Sequence, residues 1–510
     1  MLAHPKKRLK GVRGVFYPGV GVRAWITTRK KFIVNFVTKR RPLGRVSGLF
    51  GTQTRRRLYS PREASYNPPM LEFWRLLYDL VFVPVVRLAA SFAVFANADV
   101  RSGFAARRGW RAGLTEAVGR LGRGKPRLWF HCASLGEFEQ ARPILAELRR
   151  RHGDRLIVYL SFFSETGLRH GRHGGLADHV FLLPLDSPAA ARRLLDLIKP
   201  HLLCVVKFDL WPELAWTARE AGVPVALISA AVHRRSGMAH PLLRGFYRAV
   251  LRACSFIGAA DAPSARFLRA VSPTGVEVTG DSKFDAVLSR RDSAGGPPIR
   301  FAHAGTVLVC GSTHPPDEEG LLPILAKLLA EREDLVVVLA PHHVDGGHLG
   351  GIESSLTARG VTPERLTAIV ERGGAVAGRL VLVDTVGCLF ELYSPARVAY
   401  VGGGFWDRGL HNVLEPAAFG AALVFGPRIG NSAEAVELAG MGIAERVEDF
   451  DQLEKTLRRL LKDPSEARSK GAAARKYCEE RAGASARIAD RLERLCGLSV
   501  PHRGGRGNDG

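Results

Sequence analysis

The chain is 510 residues long, enough for two or three domains with cores of their own. Its 46% apolar and 24% charged content is that of an ordinary globular protein, which excludes a largely disordered or fibrous chain. The net charge of +25 is out of the ordinary but unevenly placed: residues 1–69 hold 17 Lys/Arg against Glu63 alone, so the remaining 441 residues carry only +9.

In chain order, the basic tail (1–69) comes first, with clusters at Lys6-Lys7-Arg8, Lys39-Arg40-Arg41 and Arg55-Arg56-Arg57 and no sustained periodicity. Such a tail suits nucleic acid or an anionic membrane surface. The abrupt change of character at Met70 gives a simpler expectation, that the native start is Met70 and that residues 1–69 are either disordered or not part of the native protein. Residues 70–97 form an apolar helix interrupted by Glu72, Arg75, Asp79 and Arg87. It is long enough to span a bilayer but too charged to do so cleanly, and it lacks a signal-peptide cleavage site. Trp74 and Tyr78 favour an interfacial, membrane-associating helix over a buried core helix.

From Arg127 onward short β-rich runs alternate with helical patterns. Strands are expected at Arg127–Ala133, Leu156–Phe162, Leu202–Phe208, Val223–Ser229, Phe256–Ala260 and Val276–Gly280, with helices such as Gln140–Arg151 and Ala189–Ile198 between them. A Ser/Gly/Pro-rich stretch then reads as a linker over 289–300. A second series follows at Thr306–Cys310, Leu335–Ala340, Leu380–Val383, Val398–Val401, Ala422–Phe425 and Ile443–Val447, with clear helices at Glu318–Ala330 and Phe450–Lys462. Alternation of this kind predicts parallel sheets covered by helices, here two Rossmann-like domains (98–288 and 301–497) facing one cleft, and a disordered tail over 498–510. Seven cysteines are scattered singly, without a CxxC pair or metal-ligand spacing, as reduced thiols in a cytoplasmic protein would be.

Ligands of open α/β sheets sit at the carboxyl ends of strands, so polar residues just past strands are the site candidates. They are Ser134, Gly136 and Glu137 after the first strand, Lys207 and Asp209 after Leu202–Val206, Lys283 after Val276–Gly280, and Ser312 and Thr313 after Thr306–Cys310. His342 follows Leu335–Ala340. The phrase Gly402-Gly403-Gly404 through His411, Asn412 and Glu415 follows Val398–Val401. Glycines there would let backbone N–H groups approach a ligand, and the next helix's N-terminus favours an anion; a glycine turn that merely closes the unit is the competing reading.

These segments together resemble the Kdo transferases of lipopolysaccharide synthesis, which add 3-deoxy-D-manno-octulosonic acid to lipid A precursor. The resemblance rests on Phe130-His131-Cys132-Ala133-Ser134-Leu135-Gly136-Glu137, Phe208-Asp209-Leu210-Trp211-Pro212-Glu213, Gly280-Asp281-Ser282-Lys283-Phe284-Asp285, Gly311-Ser312-Thr313-His314, Asp384-Thr385-Val386-Gly387 and the Gly402–Pro416 phrase. Six motifs in the family's order form a strong signal. The resemblance implies a GT-B glycosyltransferase that moves Kdo from CMP-Kdo to lipid IVA with inversion, using no metal and no cofactor. It makes Glu137 the general base and Glu415 the carboxylate on the nucleotide ribose, with His411 and Asn412 near the phosphate and the Kdo carboxylate. Ser312, Thr313, Gly403, Gly404 and His342 would complete the donor site. Ser134, Gly136, Asp209 and Lys283 would serve the acceptor or stabilise charge.

Two departures stand out: Lys207 and Asp209 occupy positions where the commoner pattern has glutamates, and His342 stands where it has an arginine. His342 neutralises phosphate only when protonated. The expected location is the cytoplasmic face of the inner membrane, with Arg87, Arg101, Arg107, Arg108 and Arg111 near lipid phosphates and no nucleic-acid partner. The competing functions are a GT-B enzyme with another donor, such as a UDP-sugar epimerase or lipid A disaccharide synthase, and a nucleic-acid-binding protein acting through residues 1–69.

Overall fold

A computed structural model describes residues 68–498 apart from 97, 123, 171–172, 233–237, 239, 273, 302–304 and 408. The expectations for the basic tail and for residues 499–510 lie outside the described residues.

The chain divides into two compact units. The first runs to Asp281 and takes back the segment from Ser485; the second is Ser282–Ala484. Strands β1–β7 of the first unit are Arg127–Cys132, Ile157–Phe162, His179–Leu182, Leu202–Val206, Val225–Ala230, Phe256–Ala259 and Val276–Val278. They form one parallel sheet in the order β3-β2-β1-β4-β5-β6-β7. β1, β2, β4 and β5 are buried along their whole length, which is why they read as unbroken apolar runs. The sheet reverses its winding between β1 and β4, the switch point where open α/β sheets hold ligands.

In the second unit β8–β14 are Thr306–Thr313, Leu335–Pro341, Glu364–Arg365, Leu380–Leu382, Val398–Val401, Ala422–Phe425 and Glu445–Arg446. Their order is β10-β11-β9-β8-β12-β13-β14, again parallel throughout, with the switch point between β8 and β12. Two packed clusters of buried residues cover its faces, one holding Val309, Val401 and Phe425, the other Leu308, Val337 and Tyr400.

The expected linker requires correction. Its first residues, Ser289 to Asp292, belong to the helix Lys283–Asp292, which is part of the second unit: Phe284 packs edge-on against Tyr477 and Asp285 accepts the Gly483 N–H at 2.7 Å. At the other end the helix Ala484–Cys496 joins the first unit instead of closing the second. There the buried Glu493 accepts from Arg151 (2.9 Å) and pairs with His152 (2.7 Å), and Arg487 donates to the Thr279 carbonyl at 3.0 Å.

The segment from Pro68 to Ala96 is helical, with one wide turn at Tyr78–Phe82. Its inner face is anchored in the first unit. Arg75 grips the buried Glu213 with Nε and Nη2 at 2.8 and 3.0 Å, and the Tyr78 hydroxyl donates to Asp186 at 2.9 Å. Asp186 also accepts the Glu213 and Leu214 N–H groups at the start of the helix Pro212–Glu220. No helix among the described residues is long and apolar enough to cross a membrane.

Candidate functional site

In the first unit, β1 ends at Cys132 and Ser134 caps the helix Leu135–His152. Ser134 and Glu137 form a capping box, in which the Ser134 N–H donates to Glu137 Oε2 at 3.0 Å. The carboxylate is thereby tethered in the first turn of a helix starting at the switch point, and Gly136 beside it is exposed with open space around its α-carbon. Burial first and Asp209 second raise the Glu137 carboxyl to about 7, against the opposing pull of Lys207 and the N–H groups of Ser134 and Ala133.

Asp209 is held from the same side. The Trp211 indole N–H lies 3.1 Å from both Asp209 Oδ2 and His131 Nε2, and His131 Nε2 is 3.3 Å from Asp209 Oδ2. His131 Nδ1 meets Ser161 Oγ at 2.9 Å, and the Trp129 indole N–H donates to that hydroxyl at 2.8 Å. The first unit thus brings Ser134, Gly136, Glu137 and Asp209 together, as their positions after adjacent strands predict. Lys207, the other candidate after that strand, also bears on Glu137, and the structure adds His131 and Trp211, which the motifs display without indicating their purpose.

In the second unit β8, β9 and β12 end side by side, and three imidazoles converge there. His314 Nε2 lies 2.7 Å from His411 Nε2, and the His342 ring centre is 4.7 Å from each of the other two. One ring nitrogen from each histidine lies within 4.8 Å of the others, so the group could hold a cation. The 2.7 Å separation is that of a hydrogen bond between the two imidazoles, whereas two nitrogens bound to one zinc at about 2.0–2.1 Å in a tetrahedron stand about 3.3 Å apart. Trp406 packs on His314 with ring centres 4.1 Å apart. His342 is exposed, whereas His314 is buried.

The glycine phrase serves packing first. A β-carbon on Gly402 would stand 2.3 Å from the Ser312 carbonyl oxygen, and Gly403 (φ 90°) would meet the Gly409 carbonyl at 2.5 Å. The Gly402 and Gly403 N–H groups donate to Gly311 O (2.9 Å) and Asp317 Oδ2 (2.8 Å), so these two amides hold the loop and do not face a ligand. Gly404 lies buried against Gly426. Asp317, which the sequence reading passed over, organises this loop by also accepting from His314 N (3.0 Å), Phe405 N (3.3 Å) and the Tyr400 hydroxyl (2.7 Å). The spacing of His314 and Asp317 as a helix-capping pair was its one signal in the sequence.

Other candidates also have partners within the fold. The Thr313 hydroxyl donates to Glu318 at 2.9 Å, and Thr313 is fully buried. Ser312 sits in the left-handed region (φ 56°) at an irregularity in β8. Asn412 Oδ1 accepts the Leu414 N–H at 3.0 Å in a turn that leads into the helix Leu414–Phe419. Glu415 is half-buried, 3.8 Å from Arg290. Lys283 forms a close ion pair with Glu434 and belongs to the second unit, not to the N-terminal domain in which its sequence position placed it. Arg107, expected near lipid phosphates, donates to the carbonyls of Leu183 (3.1 Å), Gly103 (2.6 Å) and Phe163, and burial, only partly offset by Glu165, lowers its guanidinium to about 10.

A family model described as 3-deoxy-D-manno-octulosonic-acid transferase matches residues 104–286, the segment that carries Glu137, Lys207 and Asp209. A 3-deoxy-D-manno-octulosonic acid transferase of Chlamydophila psittaci is 30% identical over 351 residues, covering 67% of this chain and 78% of the relative. The chain belongs to the Kdo transferase family. A Kdo transferase of Bordetella pertussis is 29% identical over 403 residues, 75% of this chain and 92% of that one. Among solved structures, a UDP-GlcNAc 2-epimerase from Neisseria meningitidis superposes with a TM-score of 0.52 at 14% identity, covering 74% of this chain and 100% of the epimerase. That likeness extends to the GT-B fold, in which this Kdo transferase places one constellation of polar side chains at the switch point of each sheet.

Proposed function

We propose that this Kdo transferase moves Kdo from CMP-Kdo to a hydroxyl of lipid IVA with inversion at the anomeric carbon, and that Glu137 is the general base. One observation carries the reading: a carboxylate tethered at the switch point of the first sheet, with its proton affinity raised to about 7 by burial. A base whose affinity for a proton sits near the working pH combines ionisation with the ability to take the acceptor's proton. The acceptor oxygen attacks as its proton passes to Glu137, and the bond from the anomeric carbon to the CMP phosphate breaks. CMP leaves as a stable anion, so no protein acid is required. In the second unit the imidazoles of His314, His342 and His411, the first and last within hydrogen-bond distance of each other, suit the departing phosphate or the sugar carboxylate.

The helix beginning at Pro68 supports membrane docking. Phe73, Leu76, Leu80, Leu88, Phe92 and Phe95 are 57–85% exposed and recur at three- to four-residue steps within each half of the helix. Arg87, Arg101, Arg108 and Arg111 are exposed on or after it. We place this surface on the cytoplasmic face of the inner membrane. Replacing Leu80 and Phe92 with Asp should reduce sedimentation with anionic vesicles at least tenfold; undiminished binding would overturn the placement. Donor choice is tested by thermal shift with CMP and UDP, and stronger stabilisation by UDP would favour the epimerase-like alternative.

A further inference from the structure

Lys207 is the first residue after β4, and its backbone is left-handed (φ 60°) although it is not glycine. Across from it, at the end of the neighbouring β5, Ser229 is left-handed as well (φ 50°), and the Lys207 N–H donates to the Ile228 carbonyl at 2.8 Å. Strained residues of this kind persist where the surroundings fix them, and they gather at functional sites. β1 and β4 pair with His131 opposite Val205, so continuing the register sets Ala133 level with Lys207, one helical turn before Glu137.

Four titratable side chains of these two adjoining segments bear on the matter. Asp209, fixed by Trp211 and His131, opposes ionisation of Glu137, and Lys207 favours it. Cys132 is fully buried, and burial together with Glu137 keeps its thiol well above the usual range, so it stays neutral. His131 contacts Asp209. An arriving acceptor strips water from Glu137 and makes its charge costlier, so a nearby cation is needed to keep the base in its working form.

We propose that Lys207 is a positioning residue whose ammonium keeps Glu137 ionised against Asp209, and that the left-handed backbone at position 207 directs it to that task. The inference rests on Glu137 being the base. It also gives a purpose to the lysine that stands where the commoner pattern has a glutamate.

The test is the pH dependence of kcat/KM for Kdo transfer in Lys207→Gly, Lys207→Arg and Asp209→Asn. Glycine removes the charge but adopts the left-handed backbone at no cost, so Lys207→Gly folds without strain. Its rise of activity with pH should move about one unit upward, giving roughly tenfold lower activity on the acid side and recovery at high pH. Lys207→Arg should keep the wild-type profile, and Asp209→Asn should move it downward. A uniform loss at every pH, or an unmoved profile in Lys207→Gly, would overturn the proposal. Glu137→Gln separates the two layers: if it keeps normal turnover, the base assignment fails; if it is inactive while Lys207→Gly is unshifted, only the role of Lys207 fails.

Discussion

Glu137→Gln should make the protein more stable while removing its activity, and the gain should depend on pH. The carboxyl rises from 4.5 to about 7 on folding, chiefly because burial disfavours its charge. A group raised in this way favours the folded state fully below 4.5, and that contribution is lost as the pH climbs through 7. Above both values the charge costs about 3 kcal/mol, at 1.36 kcal/mol per unit. At pH 4.5 the same arithmetic leaves less than about 0.5 kcal/mol. Glutamine keeps the shape and can still accept the Ser134 N–H, so the helix cap survives. Urea unfolding of both proteins, followed by the fluorescence of the buried Trp129, Trp211 and Trp216 of the first unit, should show a gain approaching 3 kcal/mol at pH 8.5 and almost none at pH 4.5. A gain independent of pH, or a loss at pH 8.5, would refute the claim that Glu137 is a half-buried, costly charge.

Arg75→Ala leaves the Glu213 carboxylate buried without its fork and should destabilise the first unit by about 3–5 kcal/mol in denaturant unfolding, much of it recovered in Arg75→Ala with Glu213→Gln; a loss below about 1 kcal/mol would refute the anchoring role. Gly402→Ala puts a methyl 2.3 Å from a backbone carbonyl and should cost about 1–3 kcal/mol in the second unit, whereas Gly136→Ala, with its nearest contact at 3.9 Å, should leave the melting temperature unchanged. Calorimetric titration with zinc should show no stoichiometric micromolar binding at the three imidazoles; tight binding lost in His411→Gln would show that the cluster is a metal site after all.

Central strands were legible because burial on both faces writes them as apolar runs: β12 and β13 have the bounds their sequences predict. The two strands that were missed, β3 and β10, lie at sheet edges, where one flank is unpaired and the sequence need not be apolar. Glu364–Arg365 carries no apolar signal at all. Helix Phe450–Lys462 was legible to the residue because Asp449 caps it and leucines recur on one face. The switch-point rule picks candidate residues by strand ends, but it says nothing of which side chains the fold uses internally. Thr313 and Lys283 are engaged within their unit, and Asn412 holds the turn before a helix. Equally, the convergence of His314, His342 and His411 from the ends of three strands depends on strand order, which no local pattern encodes.

The central claim is most directly tested by the mass of the product. Protein, CMP-Kdo generated in situ and lipid IVA are incubated with EDTA, alongside Glu137→Ala. Increments of one or more Kdo units that persist in EDTA and vanish in the variant are expected. No increment from folded, membrane-competent protein, or full transfer by Glu137→Ala, would contradict it.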